Sequence, residues 1–419
     1  MVDSVTWAST EISPEQFEQR RAGARSHGYA MWLWPDVETG RWRSALKEIV
    51  SVTRSVLAGD SGGHLACDDA RAMSIAAYTS GMGPLLGSWI ESGRIGASVE
   101  IAEMLQLHLA HNRRRMTRLT AILRDTVEQL SNGNVSPLLL KGMDTASRYF
   151  PEPGVRPLSD IDMYIPINII SQAEKILSRL KYQRVPRTRA PYACDWIDPQ
   201  VSTSPRTLTM VHEHDPWSID ILGSLGKRVP TGARISFDSL LARARLTELP
   251  GIGRAHVMPQ PLLTLYLAVH FSQTLLNATI LRALELVLVI RRDVRLRTLD
   301  WEDLVRGAKE MGGLRFIYPA LVFVEQLAPA AIPSGVMAAA ATDASKNSRS
   351  ILAGLTLAEA QPLDRHSIRE RFMWAADWQD YLVQIGSELT IDGRGVPLNA
   401  AVYSIGTKLW ALRRRRYSS

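Results

Sequence analysis

Asp160 and Asp162 flank Ile161 in the run Leu158-Ser159-Asp160-Ile161-Asp162-Met163. Side chains alternate between the faces of an extended strand, so both carboxylates share one face while Ile161 and Met163 point into a core. Two neighbouring carboxylates repel, and a divalent cation relieves that repulsion. An oxygen-rich site with few protein ligands suits Mg²⁺, with Mn²⁺ as a substitute, because the ion completes its shell with water and substrate phosphates. Asp220 repeats the pattern in Ser218-Ile219-Asp220-Ile221. A hairpin laid beside the first strand would bring it to the same face. Three carboxylates can hold two ions, which clamp a phosphoryl centre, activate an attacking hydroxyl and stabilise departing pyrophosphate.

A triphosphate also needs a cradle, and Lys141-Gly142 lies where a strand is expected to turn into a helix. Glycine lets backbone N–H groups approach phosphate, the helix N-terminus adds its positive end, and Lys141 adds a full charge. Arg156, just ahead of Asp160, is a second phosphate ligand candidate, since its planar fork suits phosphate oxygens.

Other residues carry less. His212-Glu213-His214 sets two imidazoles on one face of an expected strand, but no third zinc ligand is evident nearby in sequence, so a polar strand is the plainer reading. Gly223-Ser224-Leu225-Gly226-Lys227 lacks the spacing and final hydroxyl of a phosphate loop. His270 sits among apolar residues as a core histidine would, and Glu285 and Arg282 read as a pair on one helix.

These side chains must be positioned by a small α/β unit set between helical regions. Residues 1–60 form an N-terminal helical extension around Trp32, Trp34 and Trp42, ending at a Gly-rich turn. In residues 61–133, Ile101, Leu105, Leu109, Met116, Leu119, Leu123, Val127 and Leu130 recur at helical spacing, with Gly133 as cap. Residues 134–258 form the core unit. There Val135 to Leu140 reads as a strand, Met143 to Phe150 as a helix and Ile161 to Ile165 as a second strand. Ser171 and Glu174 make a capping box for a helix to Leu180. Leu208 to His214 and Trp217 to Leu222 read as the two arms of a hairpin turning at Asp215-Pro216. Residues 259–419 return to helical periodicity, with Trp301, Phe316, Tyr318, Phe372 and Trp374 as core aromatics.

Composition bounds the function. A chain of 419 residues, 46% hydrophobic, is long enough for several packed units. Cys67 and Cys194 are too few and too far apart for a disulfide framework, which fits a reduced, cytoplasmic setting. The start Met1-Val2-Asp3 lacks the basic, then apolar, run of a secretion signal. The greasy stretch Leu262 to Ile290 is broken by His270, Gln273, Asn277, Arg282 and Glu285, so buried helices rather than a membrane span are expected. The net charge of +7 permits a nucleic-acid partner without requiring one. Its basic clusters, Arg113 to Arg115, Arg291 to Arg297 and Arg413 to Arg416, are either solvated faces or a track for RNA.

The order of parts is more specific than any one of them. Leu138-Leu139-Leu140-Lys141-Gly142 followed by Arg156-Pro157-Leu158-Ser159-Asp160-Ile161-Asp162 resembles the signature of the bacterial "uncharacterised nucleotidyltransferase" family of the polymerase β-like superfamily. The resemblance covers about residues 65 to 300. It implies an α+β fold with a minimal nucleotidyltransferase palm, a small mixed sheet with helices. It implies two Mg²⁺ ions held by Asp160, Asp162 and Asp220, and transfer of a nucleoside monophosphate from a nucleoside triphosphate such as ATP. The acceptor would be a small molecule, peptide or protein, with an RNA-modifying toxin and a non-catalytic nucleotide-binding relic as alternatives. Two departures bear on the last of these. Met143 follows Gly142 where the superfamily commonly has serine, and Asp220-Ile221-Leu222 stands where the family tends to carry Glu-Leu-His.

Overall fold

A computed structural model describes residues 11–360, apart from 28–29, 61–62, 187–192, 226, 229–233, 236, 238–240, 274 and 276–278, together with strand residues 390–391 and 394–395. Phe372, Trp374 and the Arg413 to Arg416 run lie outside the described residues.

The chain opens with helices α1 (Pro14–His27) and α2 (Thr39–Ala58), strand β1 (Gly63–Leu65), helices α3 (Ala70–Thr79) and α4 (Gly83–Glu91), and strand β2 (Ile95–Ala97). Helix α5 (Val99–Asn132) follows, 34 residues long. Ser98 caps it by accepting from the Ile101 N–H, and Gly133 ends it. The palm then contains β3 (Leu138–Leu139), α6 (Met143–Tyr149), β4 (Asp160–Tyr164), α7 (Ile170–Arg179), β5 (Gln183–Pro186), β6 (Ala193–Ile197) and β7 (Ser218–Leu222). After the short pair β8 (Lys227–Arg228) and β9 (Arg234–Ile235) come β10 (Arg245–Leu249) and β11 (Gly253–Val257). Helices α8 (Leu262–Gln273), α9 (Ile280–Arg295), α10 (Trp301–Glu310), α11 (Tyr318–Leu327), α12 (Ser334–Asp343) and α13 (Lys346–Ala353) follow.

The main sheet has seven strands in the order β10-β11-β3-β4-β7-β6-β5. Its centre is mixed: β3 runs antiparallel to β4, β4 parallel to β7, and β7 antiparallel to β6. This is the α+β arrangement, a small mixed sheet with helices, that the resemblance implies. The pleat sorts side chains cleanly. Leu139, Ile161, Met163, Ile219 and Ile221 join Leu119, Leu123 and Val127 of α5 and Ile176 and Leu177 of α7 in one apolar cluster. Leu138, Leu140, Tyr164 and Leu222 take the other face, toward a larger cluster. That second cluster draws on both ends of the chain, from Trp42, Leu46 and Ile49 of α2 to Leu286, Val289 and Phe323 of α9 and α11. Helix α5 serves both: Ile101, Leu105 and Leu109 belong to the larger cluster, and Met116, Leu119 and Leu130 to the palm.

Three local expectations fail for identifiable reasons. Leu208 to His214 is not a strand, and β7 has no hairpin partner in it. The Asp215 carboxylate accepts from the Arg206 and His212 N–H groups at 2.7 and 2.8 Å, folding the segment into a tight loop. Strand β6 pairs there instead, and β4 lies parallel on the other side. Ser171 is not a cap, since α7 begins at Ile170 with no side-chain hydrogen bond at its N-terminus. Only Leu138 and Leu139 of the Val135 to Leu140 run are laddered. Among the described residues no helix is long and apolar enough to cross a membrane.

Candidate active site

Asp162 and Asp220 are direct register partners on β4 and β7, and Asp160 stands two residues before Asp162 on the same face. Carboxylate oxygens of all three lie within 4.8 Å of one another. The face they occupy is turned toward the helical body, so Asp162 and Asp220 are buried, while Asp160 is partly exposed. Ser218 Oγ donates to Asp220 Oδ1 at 2.8 Å and fixes that carboxylate. An all-oxygen set with one open edge suits a hard divalent cation.

The turn after β3 delivers Lys141 to this cluster. Its Nζ donates to Asp162 Oδ2 at 2.6 Å and lies 3.8 Å from Asp160 Oδ2. Burial alone would lower the Lys141 pKa, but the Asp162 and Asp160 charges outweigh it and hold the ammonium above its ordinary value. Gly142 is at φ +72°, where only glycine is relaxed. A Cβ there would stand 3.1 Å from Leu158 Cδ2, beside Arg156 and Asp162. Its backbone therefore faces the acidic cluster closely. Helix α6 has only seven residues, so charge and backbone approach matter more here than a helix dipole. Met143, which replaces the serine common at that position, is buried in the palm core. The first hydroxyl of the helix is Thr145, which donates to the Gly142 carbonyl and contacts Glu285.

Arg156 is held differently from the sequence expectation. Its fork grips Glu285 of α9, Nε to Oε1 at 2.9 Å and Nη2 to Oε2 at 3.0 Å, with both residues buried. Glu285 thus faces the palm rather than serving only its own helix. Arg282, one turn earlier on α9, is in the field of Glu285, Arg156, Asp160 and Asp162. Burial is the first cause of its lowered pKa. Tyr266 of α8 is buried and raised well above its ordinary pKa, by burial and then by Asp162 and Asp160. Asp195 of β6 is abreast of Asp220 and so shares the acidic face. Sequence reading missed Asp195, Arg282 and Tyr266 as neighbours of the site. Only the alternation Cys194-Asp195-Trp196 carried a usable signal.

Helix α5 anchors the loops that lead into both acidic strands. Buried Arg115 donates to the carbonyls of Leu158 at 2.9 Å, Asp215 at 2.6 Å and Pro216 at 2.7 Å. Asn112 Nδ2 donates to the Gly154 carbonyl at 2.6 Å. Arg113 pairs with Glu91 and Glu152, and Arg114 with Glu213. Within the Arg113 to Arg115 cluster, Arg115 is buried against backbone carbonyls, while Arg113 and Arg114 pair with carboxylates at the surface. Beside it, His111, His212 and Glu213 come together, although His212 and Glu213 lie in a loop and not on a strand.

The pattern of a family described as "Uncharacterised nucleotidyltransferase" matches residues 68–329, more than half of the chain. Comparison with curated proteins and with solved structures finds no match. With the palm topology and the acidic face in place, the match over that span assigns the chain: it belongs to the uncharacterised nucleotidyltransferase family.

Proposed function

We propose that the protein is a Mg²⁺-dependent nucleotidyltransferase that moves a nucleoside monophosphate from a nucleoside triphosphate to a hydroxyl or phosphate of a small-molecule, peptide or protein acceptor. The observation that carries this reading is the register pairing of Asp162 with Asp220, with Asp160 on the same face and Lys141 against Asp162. An acceptor oxygen attacks the α-phosphorus, the bond to the β-phosphate oxygen breaks, and pyrophosphate leaves while the acceptor's proton passes to a carboxylate or water. Asp160, Asp162 and Asp220 would hold two Mg²⁺ ions, or Mn²⁺, which when bound polarise the phosphoryl oxygens and lower the pKa of the attacking hydroxyl. Lys141 offers its charge to the triphosphate, and the Gly142 backbone leaves room for it. Arg156 keeps Glu285 neutralised and braces α9 behind the site, with one nitrogen, Nη1, toward Gly142.

The test mixes the full chain with each labelled nucleoside triphosphate and Mg²⁺ in cell extract, beside the Asp160→Asn variant. Label should move to a peptide or metabolite with the wild type only. Label on RNA would move the function to the toxin-like alternative, and no transfer from any triphosphate would leave a nucleotide-binding relic.

A further inference from the structure

We propose that His111, His212 and Glu213 form a second metal site, separate from the aspartate cluster, that takes a late first-row divalent cation of the zinc type and staples the 207–216 loop to α5. Donor atoms of the three residues lie within 4.8 Å of one another. His111 Nδ1 and Glu213 Oε1 are 3.5 Å apart. Zinc bound at about 2.0–2.2 Å sets adjacent tetrahedral donors roughly 3.3–3.5 Å apart, so this edge already has the right length.

The second observation is an unsatisfied nitrogen. His111 Nδ1 is shielded from solvent and has no hydrogen-bond partner. An imidazole nitrogen without a hydrogen-bond partner, set 3.5 Å from a carboxylate oxygen, is a geometry that a shared cation would satisfy. The imidazoles of His111 and His212 are close, with ring centroids 4.3 Å apart. His214 is next to them, 5.4 Å from the His212 ring. Two nitrogens and one oxygen suit zinc better than magnesium, which prefers all-oxygen shells.

The surroundings orient the donors. Arg114 Nε donates to Glu213 Oε2 at 2.6 Å, which leaves Oε1 turned to His111. Such outer contacts hold a ligand in place for its ion. One local bond must yield: the His214 N–H donates to His212 Nδ1 at 3.1 Å, and coordination by either nitrogen of that ring replaces it. The loop feeds directly into β7, so a staple here fixes the approach of Asp220 to Asp162.

The experiment titrates Zn²⁺ and Co²⁺ into the untagged full chain with Mg²⁺ in excess, using the Asp162→Asn variant as background so that the aspartate cluster is disabled. One Co²⁺ should bind with the visible bands of a tetrahedral site. Zn²⁺ should displace it, and amide exchange in residues 207–216 should slow. His111→Gln, His212→Gln and Glu213→Gln should each weaken Zn²⁺ binding on the order of 100-fold or more, since even outer-shell partners contribute about 10–100-fold. Arg114→Ala should weaken it about 10-fold. If His111→Gln does not fold, the two partly exposed loop variants decide. Absence of tetrahedral bands, or Zn²⁺ affinity unchanged in the folded His212→Gln and Glu213→Gln chains, overturns the site.

Discussion

Arg156 and Glu285 lie 129 residues apart in sequence and meet as a buried, two-pronged ion pair between the palm and α9. Removing one partner leaves the other charged and desolvated. Glu285→Ala is therefore expected to lower stability by about 3–5 kcal/mol, whereas a matched apolar pair, Arg156→Met with Glu285→Leu, should recover most of the loss. Urea denaturation of the three chains measures this. Equal losses in single and double variants would show that the pair contributes nothing as a pair.

Lys141 compensates two carboxylates in the absence of a divalent ion. In Lys141→Ala, repulsion between Asp160, Asp162 and Asp220 is unrelieved, so Mg²⁺ should raise the melting temperature more than it does in the wild type. Nucleoside triphosphate affinity should fall at the same time. A variant with wild-type nucleotide affinity and an unchanged Mg²⁺ response would remove Lys141 from the site.

Asp162→Asn separates catalyst from relic. The amide retains the shape but gives up a metal-coordinating charge, and transfer should fall by on the order of 10²-fold or more, about 3 kcal/mol of barrier. The 2.6 Å bond from Lys141 means that this variant also loses a charge-assisted contact, a loss of about 1.5–3 kcal/mol in metal-free stability. The informative quantity is the Mg²⁺-induced shift in melting temperature, which should be large in the wild type and nearly absent in the variant. Identical shifts in both would exclude Asp162 as a ligand.

Acid sensitivity should come partly from His108 on α5. Burial lowers its pKa to about 3, so the folded ring is neutral. It stands so close to Gly83 that even a methyl group there would overlap the ring. The unfolded ring titrates at the ordinary value of 6.5. Its contribution is thus complete above pH 6.5 and is lost as pH falls toward 3, at up to about 1.4 kcal/mol per pH unit. His108→Gln should flatten that part of the stability profile, and an unchanged slope would assign the acid loss to other groups.

What is legible in the sequence is whatever the chain encodes locally. Ile161 and Met163 alternate with Asp160 and Asp162, and the apolar spacing from Ile101 to Leu130 specifies one long helix; both patterns are periodic and need no distant partner. The Lys141-Gly142 turn was legible for the same reason. The 207–216 loop was not, because an alternating run there is overruled by the Asp215 carboxylate and by Arg115, whose partners lie about 100 positions away. Glu285 as the partner of Arg156, His111 beside His212, and Asp195 abreast of Asp220 all arise from tertiary pairing. The alternation Cys194-Asp195-Trp196 hints at the last of these, and no spacing in the sequence announces the other two.

Helix α5 ties both hydrophobic clusters to one continuous rod, about 50 Å long at 1.5 Å per residue. Between Leu109, which faces one cluster, and Met116, which faces the other, rotation per residue is about 100°. Deleting or inserting a single residue there would swing Arg115 away from the Asp215 and Pro216 carbonyls, although no residue of the acidic face had changed. Insertions of about seven residues, close to two full turns, would nearly restore the phase. Even so, a seven-residue insertion would carry the two clusters about 10 Å apart along the axis, so the helix should tolerate changes of sequence on its exposed side far more readily than changes of length.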